Sequence, residues 1–283
     1  MVVYKNCKEV SVNLVYEAFK RGFADYIVKF DISKEGFIKR FLGPEGNDLN
    51  YSFIALDNEE PIGVVLGGIK KFDGLKTMRC GALCVIPSYR GTGVAQKLFN
   101  LHKETAIKNK CKQLFLEVIV GNDRAINFYK KLGYEKVYNL HYYILKDVNK
   151  IKGKSLDGFS IKPIEIEDIK YLKGKMIDTH INWQNTMDYI EKLDNQYHYG
   201  IYDKSELIGG ISISKTGEIK FLWIEPEFRN KGLATNLSFY TVKDLKLNKL
   251  FCSFPNNSLL EGFFRKNDFT KSELSQYEMY LPL

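Results

Sequence analysis

Proline and cysteine are both scarce in this chain: among 283 residues there are 7 of the first and 5 of the second. With apolar residues at 45% and charged residues at 27%, so little proline excludes collagen-like and disordered sequence and leaves an ordinary globular protein. The cysteines are odd in number and none stands in a Cys-x-x-Cys pair. That argues against a disulfide framework and a structural zinc site, and predicts reduced thiols in the cytoplasm. Long apolar runs are missing too. None approaches the ~18–20 residues a membrane span needs, so no membrane partner is expected. Lys5, Lys8 and Glu9 break the stretch where a secretory signal would need its apolar core.

The second half lacks any charge excess. Residues 1–150 hold 24 lysines and arginines against 16 acids, whereas residues 151–283 hold 18 of each, so the net charge of +8 belongs to the first half. The basic residues are dispersed rather than run together. A solvated surface is therefore the first reading, an anionic ligand the second, and nucleic acid the least favoured.

The length fits about two domains at ~100–200 residues each. A polar, glycine-containing stretch separates two runs that end in strand-like aromatic sequence, which divides the chain into 1–147, a linker at 148–158, and 159–283. Apolar spacing predicts a strand at 2–4, helices at 12–20 and 34–41, and strands at 51–56, 61–71 and 76–86. A helix from about 91 to 108, a strand at 113–119, a helix at 123–132 and a strand at 134–145 complete the first half. The second half repeats the order: strand 159–163, helices 166–173 and 184–193, and strands 197–202, 206–214 and 218–224. Helix 230–245, strand 249–254, helix 257–266 and strand 269–282 follow.

Two segments carry the repeat in their residues. Val85-Ile-Pro-Ser-Tyr-Arg-Gly-Thr-Gly-Val-Ala95 matches Ile224-Glu-Pro-Glu-Phe-Arg-Asn-Lys-Gly-Leu-Ala234, and Asn122 to Tyr134 matches Asn257 to Phe269. In the first segment an apolar strand, Gly81–Ile86, ends at Pro87, which cannot donate to a ladder. Small residues follow, and then Val94, Leu98, Leu101 and Thr105 fall on one helical face. Such a turn leaves the first helical N–H groups unpaired. Glycine lets another molecule approach them, and the helix dipole favours an anion there. Charge-assisted bonds of about 1.5–3 kcal/mol each would together hold a pyrophosphate. A dinucleotide turn is disfavoured, since Gly91-x-Gly93 has no third glycine and no well-placed acid. Nor is there the Gly-Lys-Ser/Thr of a nucleoside-triphosphate loop.

The wider pattern is more specific. Arg90-x-x-Gly93-x-Ala95, preceded by Val85-x-Pro87 and followed by Asn122-x-x-Ala125-x-x-Phe128-Tyr129-x-x-x-Gly133-Tyr134, resembles the GNAT superfamily of acyl-CoA-dependent N-acyltransferases. Arg229-x-x-Gly232-x-Ala234, with Asn257 and Phe263-Phe264, repeats it. The resemblance implies an α+β or α/β fold of two tandem GNAT-like domains, each a mixed, mostly antiparallel twisted sheet flanked by helices. It implies acetyl-CoA as cofactor, a small-molecule or peptide amine as acceptor, and no metal. By the same resemblance the amides of Gly91, Thr92, Gly93, Val94, Ala95 and Gln96 would hold the pyrophosphate, with Arg90 opening the loop. Leu83, Cys84 and Val85 would pair their backbone with the pantetheine arm, Asn122 would bond its amides, and Tyr129 would protonate the departing thiolate.

The chain also departs from the family. Such enzymes often take a general base from the strand before the loop, but residues 76–85 contain no carboxylate. An alkyl amine of pKa near 10.4 is neutral in about one molecule in 2,500 at pH 7, so a base is needed. Glu117 on the next strand is the candidate, set against a plainer role as a salt-bridged strand residue. Cys80 and Cys84 are expected as buried thiols on one sheet face. Phe264, Leu260 and Asp268 stand where the first half has Tyr129, Ala125 and Gly133. Phenylalanine has no proton to give, so the first domain is expected to be catalytic. Two rivals stay open: a working second domain with Glu218 or Glu225 as base, and a non-catalytic acyl-CoA-binding or sensing protein. His102 and His141 are expected in structural roles, and His180 and Trp183 in packing or at the acceptor region.

Overall fold

The computed structural model describes residues 1–29, 31–176, 179–256 and 258–283, the side chains of 258 and 259 excepted; Asn257 lies outside them. The strands are β1 (Val2–Asn6), β2 (Asp48–Asp57), β3 (Glu60–Phe72), β4 (Leu75–Val85), β5 (Gln113–Ile119), β6 (Glu135–Leu145), β7 (Phe159–Pro163), β8 (Gln196–Asp203), β9 (Glu206–Ser214), β10 (Glu218–Ile224), β11 (Leu250–Pro255) and β12 (Thr270–Pro282). The helices are α1 (Val12–Gly22), α2 (Lys34–Phe41), α3 (Val94–Lys108), α4 (Asp123–Lys131), α5 (Ile166–Gly174), α6 (Met187–Ile190), α7 (Leu233–Asp244) and α8 (Ser258–Lys266). Among the described residues no helix is long and apolar enough to cross a membrane.

The chain forms two compact units, Met1–Tyr138 with Tyr277–Leu283, and Asn139–Gln276. The first carries strands in the order β1-β2-β3-β4-β5-β12-β6, using the ends of β12 and β6 that belong to it. The second carries β12-β6-β11-β10-β9-β8-β7, again with its own parts of β12 and β6. Each unit's strands are mixed and mostly antiparallel, as expected, and the parallel pairs include β4 with β5 in the first and β10 with β11 in the second. In each, an intervening helix supplies the crossover that a parallel pair requires.

A cut at residues 148–158 does not separate these units. Leu140 to Leu145 pair with Pro255 to Leu250 of β11, inside the second unit. Met279 is fully buried in the first unit's core, Tyr280 donates its hydroxyl to Asp73 at 3.0 Å, and the Leu283 amide donates to Lys112 O at 3.0 Å. Composition marks a linker, whereas strand pairing decides which side of it a residue serves.

In the first unit α1 and α2 cover one sheet face, with Phe19, Phe37 and Phe41 against Ile54, Val64 and Leu66. On the other face α3 and α4 bring Leu98, Phe99, Ile126 and Tyr129 against Val65, Met78 and Leu116. The register of β3 with β4 slips between Leu66↔Ala82 and Gly67↔Cys80, so Gly81 is an extra residue, a β-bulge. A side chain there would place its Cβ 2.0 Å from Asn47 Oδ1, which only glycine avoids. The bulge also corrects one expectation. Cys80 and Cys84 lie on opposite faces, the first against α3 and α4 and the second against α1, because one inserted residue reverses the alternation.

The helix expected at 184–193 is a single turn, Met187–Ile190, after a 3-10 turn at Trp183–Asn185. Local polar bonds compete with the helix here: Thr186 Oγ1 donates to Trp183 O at 2.8 Å, and Asn185 Nδ2 donates to Ser253 O at 2.8 Å. The other predicted elements form within a few residues of their expected bounds.

His102, on α3, is fully buried, and neither ring nitrogen has a hydrogen-bond partner among the described residues. Burial pushes its pKa down to about 3. An unfolded histidine takes its proton near pH 6.5, so between these values the unfolded chain binds more protons than the folded one. Stability that rests on a neutral His102 is thus full above about 6.5 and declines as pH falls toward 3, by about 1.4 kcal/mol per pH unit. Urea unfolding at pH 7, 6 and 5 should show this loss, and His102→Leu should remove that share of the slope; equal slopes would show that His102 does not set it.

Candidate active site

After β4 the chain makes a 3-10 turn, Pro87–Tyr89, and passes through Gly91 (φ 80°) and Gly93 (φ 91°) into α3. The expected start near residue 91 gives way to Val94 because both glycines adopt the left-handed conformation. The first bond into the helix is Lys97 N–H to Gly93 O at 3.0 Å. The N–H groups of residues 91 to 96 meet no acceptor among the described residues. A Cβ on Gly91 or Gly93 would touch nothing within 4 Å, so the space over these amides is open. Here is a nest of donors at a helix N-terminus, suited to phosphate.

Arg90 does not join that nest with its side chain. Its Nε donates to Val85 O at 3.0 Å, Nη1 and Nη2 meet the two oxygens of Asp25 at 2.5 and 2.6 Å, and Nη2 reaches Gly22 O at 3.3 Å. The guanidinium clamps the loop to the end of α1 and holds the Asp25 carboxyl down to about 2. Arg229 repeats the core of this clamp, with Nε on Ile224 O at 2.9 Å. Asn230 (φ 65°) and Gly232 (φ 81°) repeat the turn, and residues 230 to 235 likewise leave their N–H groups without acceptors among the described residues.

Beside the loop the sheet opens. Parallel pairing of β4 with β5 runs only from Thr77↔Gln113 to Arg79↔Phe115, and beyond it the strands part. Ile86 N–H donates to Ile62 O at 2.9 Å, so alternation turns the backbone of Cys84 toward β3 and that of Leu83 and Val85 into the gap. Of these three, Cys84 therefore offers the gap no backbone group, and its Sγ points to Ala18 O under α1. Val85 O already accepts from Arg90.

On the far side of the gap Asn122 Oδ1 caps α4 by accepting from Ala125 N–H at 3.3 Å, and its side chain also hydrogen-bonds Tyr26. Tyr129, one helical stretch later, is buried, with its hydroxyl against the Cys80 thiol and Tyr134 close by. Burial raises the Tyr129 pKa well above its usual value, helped by Cys80, Tyr134 and Tyr26, so the hydroxyl keeps its proton at any working pH. Tyr26 escapes sequence reasoning because it sits in an irregular segment after α1 with no motif around it.

Glu117 lies in the first unit's sheet with a 3% exposed side chain, and Arg79 Nε and Nη2 both donate to its Oε2, at 3.0 and 2.6 Å. The salt-bridged role weighed in the sequence is present, yet Glu117 Oε1 is buried and has no partner among the described residues. In the second unit Glu218 accepts from Lys220 Nζ at 2.7 Å and Glu225 binds Lys175. Phe264 is fully buried and stacks on Tyr143, and Asp268 (φ 61°) takes the left-handed place that Gly133 holds in the first unit. Leu260, His180 and Lys220 line a small cavity with Phe221 and Phe254, while Trp183 is packed away at 1% exposure.

Compared with known proteins, residues 14–134 match the profile described as Acetyltransferase (GNAT) family, and residues 166–283 match that of Acetyltransferase (GNAT) domain. N-alpha-acetyltransferase 30 of Schizosaccharomyces pombe is 33% identical over 97 residues, which span 34% of this chain and 64% of that protein. The protein of the same name from Saccharomyces cerevisiae is 28% identical over 125 residues, 41% of this chain and 68% of the other. The matched segment is thus less than two thirds of the fission-yeast protein. A tandem GNAT protein from the clavulanic acid biosynthesis pathway has the same fold, with a TM-score of 0.72 over 100% of this chain and 98% of that one at 12% identity. A GCN5-related N-acetyltransferase from Sphaerobacter thermophilus likewise scores 0.72, over 99% of this chain and 95% of its own, at 12% identity.

Proposed function

The chain belongs to the GNAT acetyltransferase family, with one such domain matched in each half, and from that premise we propose that it transfers an acetyl group from acetyl-CoA to a primary amine in its first unit. The carrying observation is the juxtaposition of open amides at residues 91 to 96, a parted β4–β5 pair, and a protonated Tyr129 buried beside it. The amides would bind the pyrophosphate. Leu83 would offer its backbone to the pantetheine arm, with the Asn122 side chain on the other wall.

Transfer is direct. The amine nitrogen attacks the thioester carbon, the C–S bond breaks, and Tyr129 gives its proton to the sulfur and regains one from solvent. Glu117, whose Oε1 is bare, takes the proton that the nitrogen sheds and passes it to solvent. The second unit keeps the loop, but Phe264 supplies no acid, and Glu218 and Glu225 are each tied to a lysine. The relatives named above are N-alpha-acetyltransferases, so peptide α-amines are the first acceptor class to try. Cytoplasmic thiol-reducing surroundings suit the free, buried cysteines.

Calorimetry with acetyl-CoA, followed by an assay of free thiol over a panel of amines, tests this reading. Binding and amine-dependent thiol release are expected; binding without release on any amine would leave a sensor instead. Gly93→Ala and Gly232→Ala separate the units. Each forces a side chain into a left-handed position at about 1–2 kcal/mol of strain. Gly93→Ala should weaken acetyl-CoA binding and turnover about tenfold or more, with turnover preserved in Gly232→Ala. The reverse pattern would assign catalysis to the second unit.

A further inference from the structure

At the β4 bulge two buried hydrogen-bond acceptors wait for a donor. Asn47 turns its Nδ2 to Phe41 O at 2.8 Å, which settles the orientation of the amide, and its Oδ1 lies against Gly81 with no partner among the described residues. Glu117 holds Arg79 through Oε2 alone and leaves Oε1 bare. Glu117 also ends a row of alternating charge that runs inward from the rim. Arg40 Nε stands 3.5 Å from Glu45 Oε1, Arg79 Nη1 donates to Glu45 Oε2 at 2.8 Å, and Arg79 Nη2 meets Glu117 Oε2 at 2.6 Å. The next member of such a row is positive. Arg79 is the last β4 residue paired with β5 and Gly81 is the bulge, so both bare oxygens belong to the region where the strands begin to part.

Bare buried acceptors are costly, and they mark either a ligand site or a strain reservoir. An ammonium group answers this pair well, because it carries three donors, no acceptor and the missing charge. We propose that Asn47 Oδ1 and Glu117 Oε1 form the subsite for the acceptor nitrogen, that the amine enters it as the cation and gives one proton through Glu117 to solvent before the nitrogen attacks, and that Arg79 and Glu45 are positioning residues that turn Glu117 toward it. This rests on the amine-transfer reading above. It adds that the site selects primary ammonium ions over neutral nucleophiles. Among the described residues, the charged groups joined in this row are Arg40 and Glu45 from α2 and the loop after it, and Arg79 and Glu117 from β4 and β5.

The test is the acceptor KM of the wild-type protein from pH 7 to pH 9, using an alkyl amine of pKa near 10.4 that supports thiol release. A subsite for the cation keeps KM flat over that range. A KM that falls about tenfold per pH unit follows the neutral amine and would overturn the proposal. Asn47→Leu gives a second reading, since Asn47 N–H still bonds Phe41 O and holds the loop. Its acceptor KM should rise about tenfold or more while the Kd for acetyl-CoA stays put; an unchanged KM would again refute the subsite. Failure of every amine to release thiol removes the transfer reading and the subsite with it, whereas turnover with a KM that tracks the neutral amine removes the subsite alone.

Discussion

Replacing Tyr129 by phenylalanine is expected to lower kcat by about 10²-fold or more and to leave the Kd for acetyl-CoA unchanged. The substitution deletes one oxygen and little else. Tyr129 packs in the first unit's core beside Phe128 and Tyr134, and the second unit carries phenylalanine at the matching place, fully buried, in Phe264. The fold therefore tolerates the ring without the hydroxyl. On the proposed mechanism the departing thiolate takes a proton, and the Tyr129 hydroxyl, held in its protonated form by burial, would be the donor. Stopped-flow thiol release at saturating acetyl-CoA measures the effect. A rate within twofold of wild type would take Tyr129 out of the chemistry.

The largest loss of stability is expected from Arg79→Met, about 3–5 kcal/mol by urea unfolding at pH 7. Arg79 is 7% exposed and stands between two carboxylates that are 6% and 3% exposed. Removing it leaves Glu117 a buried charge with no cation, while Glu45 keeps Arg40 at 3.5 Å toward solvent. The deficit should therefore concentrate on Glu117. Adding Glu117→Gln to Arg79→Met should recover most of the loss, because the remaining group is polar but uncharged. A single-mutant loss below about 1 kcal/mol would mean that the ion pair is solvated in solution, as exposed pairs are.

Both results bear on how far the amino-acid sequence can be read. The strands and helices, the helix at 184–193 apart, follow from apolar spacing, and the loop follows from Arg90, Gly91 and Gly93 because a left-handed turn before a helix favours glycine at those places. The tandem arrangement could be read because Arg229 and Gly232 preserve the same turn. The role of Arg90 could not. A long cationic side chain next to a phosphate loop suggests an anion partner, and only the approach of Asp25 and Gly22 O shows it clamped elsewhere. Likewise Glu117 invites two readings along the strand, and Arg79, 38 residues away, decides that it is paired through one oxygen and bare at the other.

Local pattern thus determined most of the elements, the repeat and the donor-rich turn, since each depends on residues within a turn or two of one another, and the family resemblance supplied the candidate acid. Tertiary structure alone decided which unit residues 139–147 and 277–283 join, which face Cys80 and Cys84 occupy, and which Glu117 oxygen is left bare. The reason is that these outcomes turn on pairing register and on partners distant along the chain. One inserted residue at Gly81 reverses a whole face, and nothing adjacent to Gly81 in the chain announces that Asn47 will lie over it.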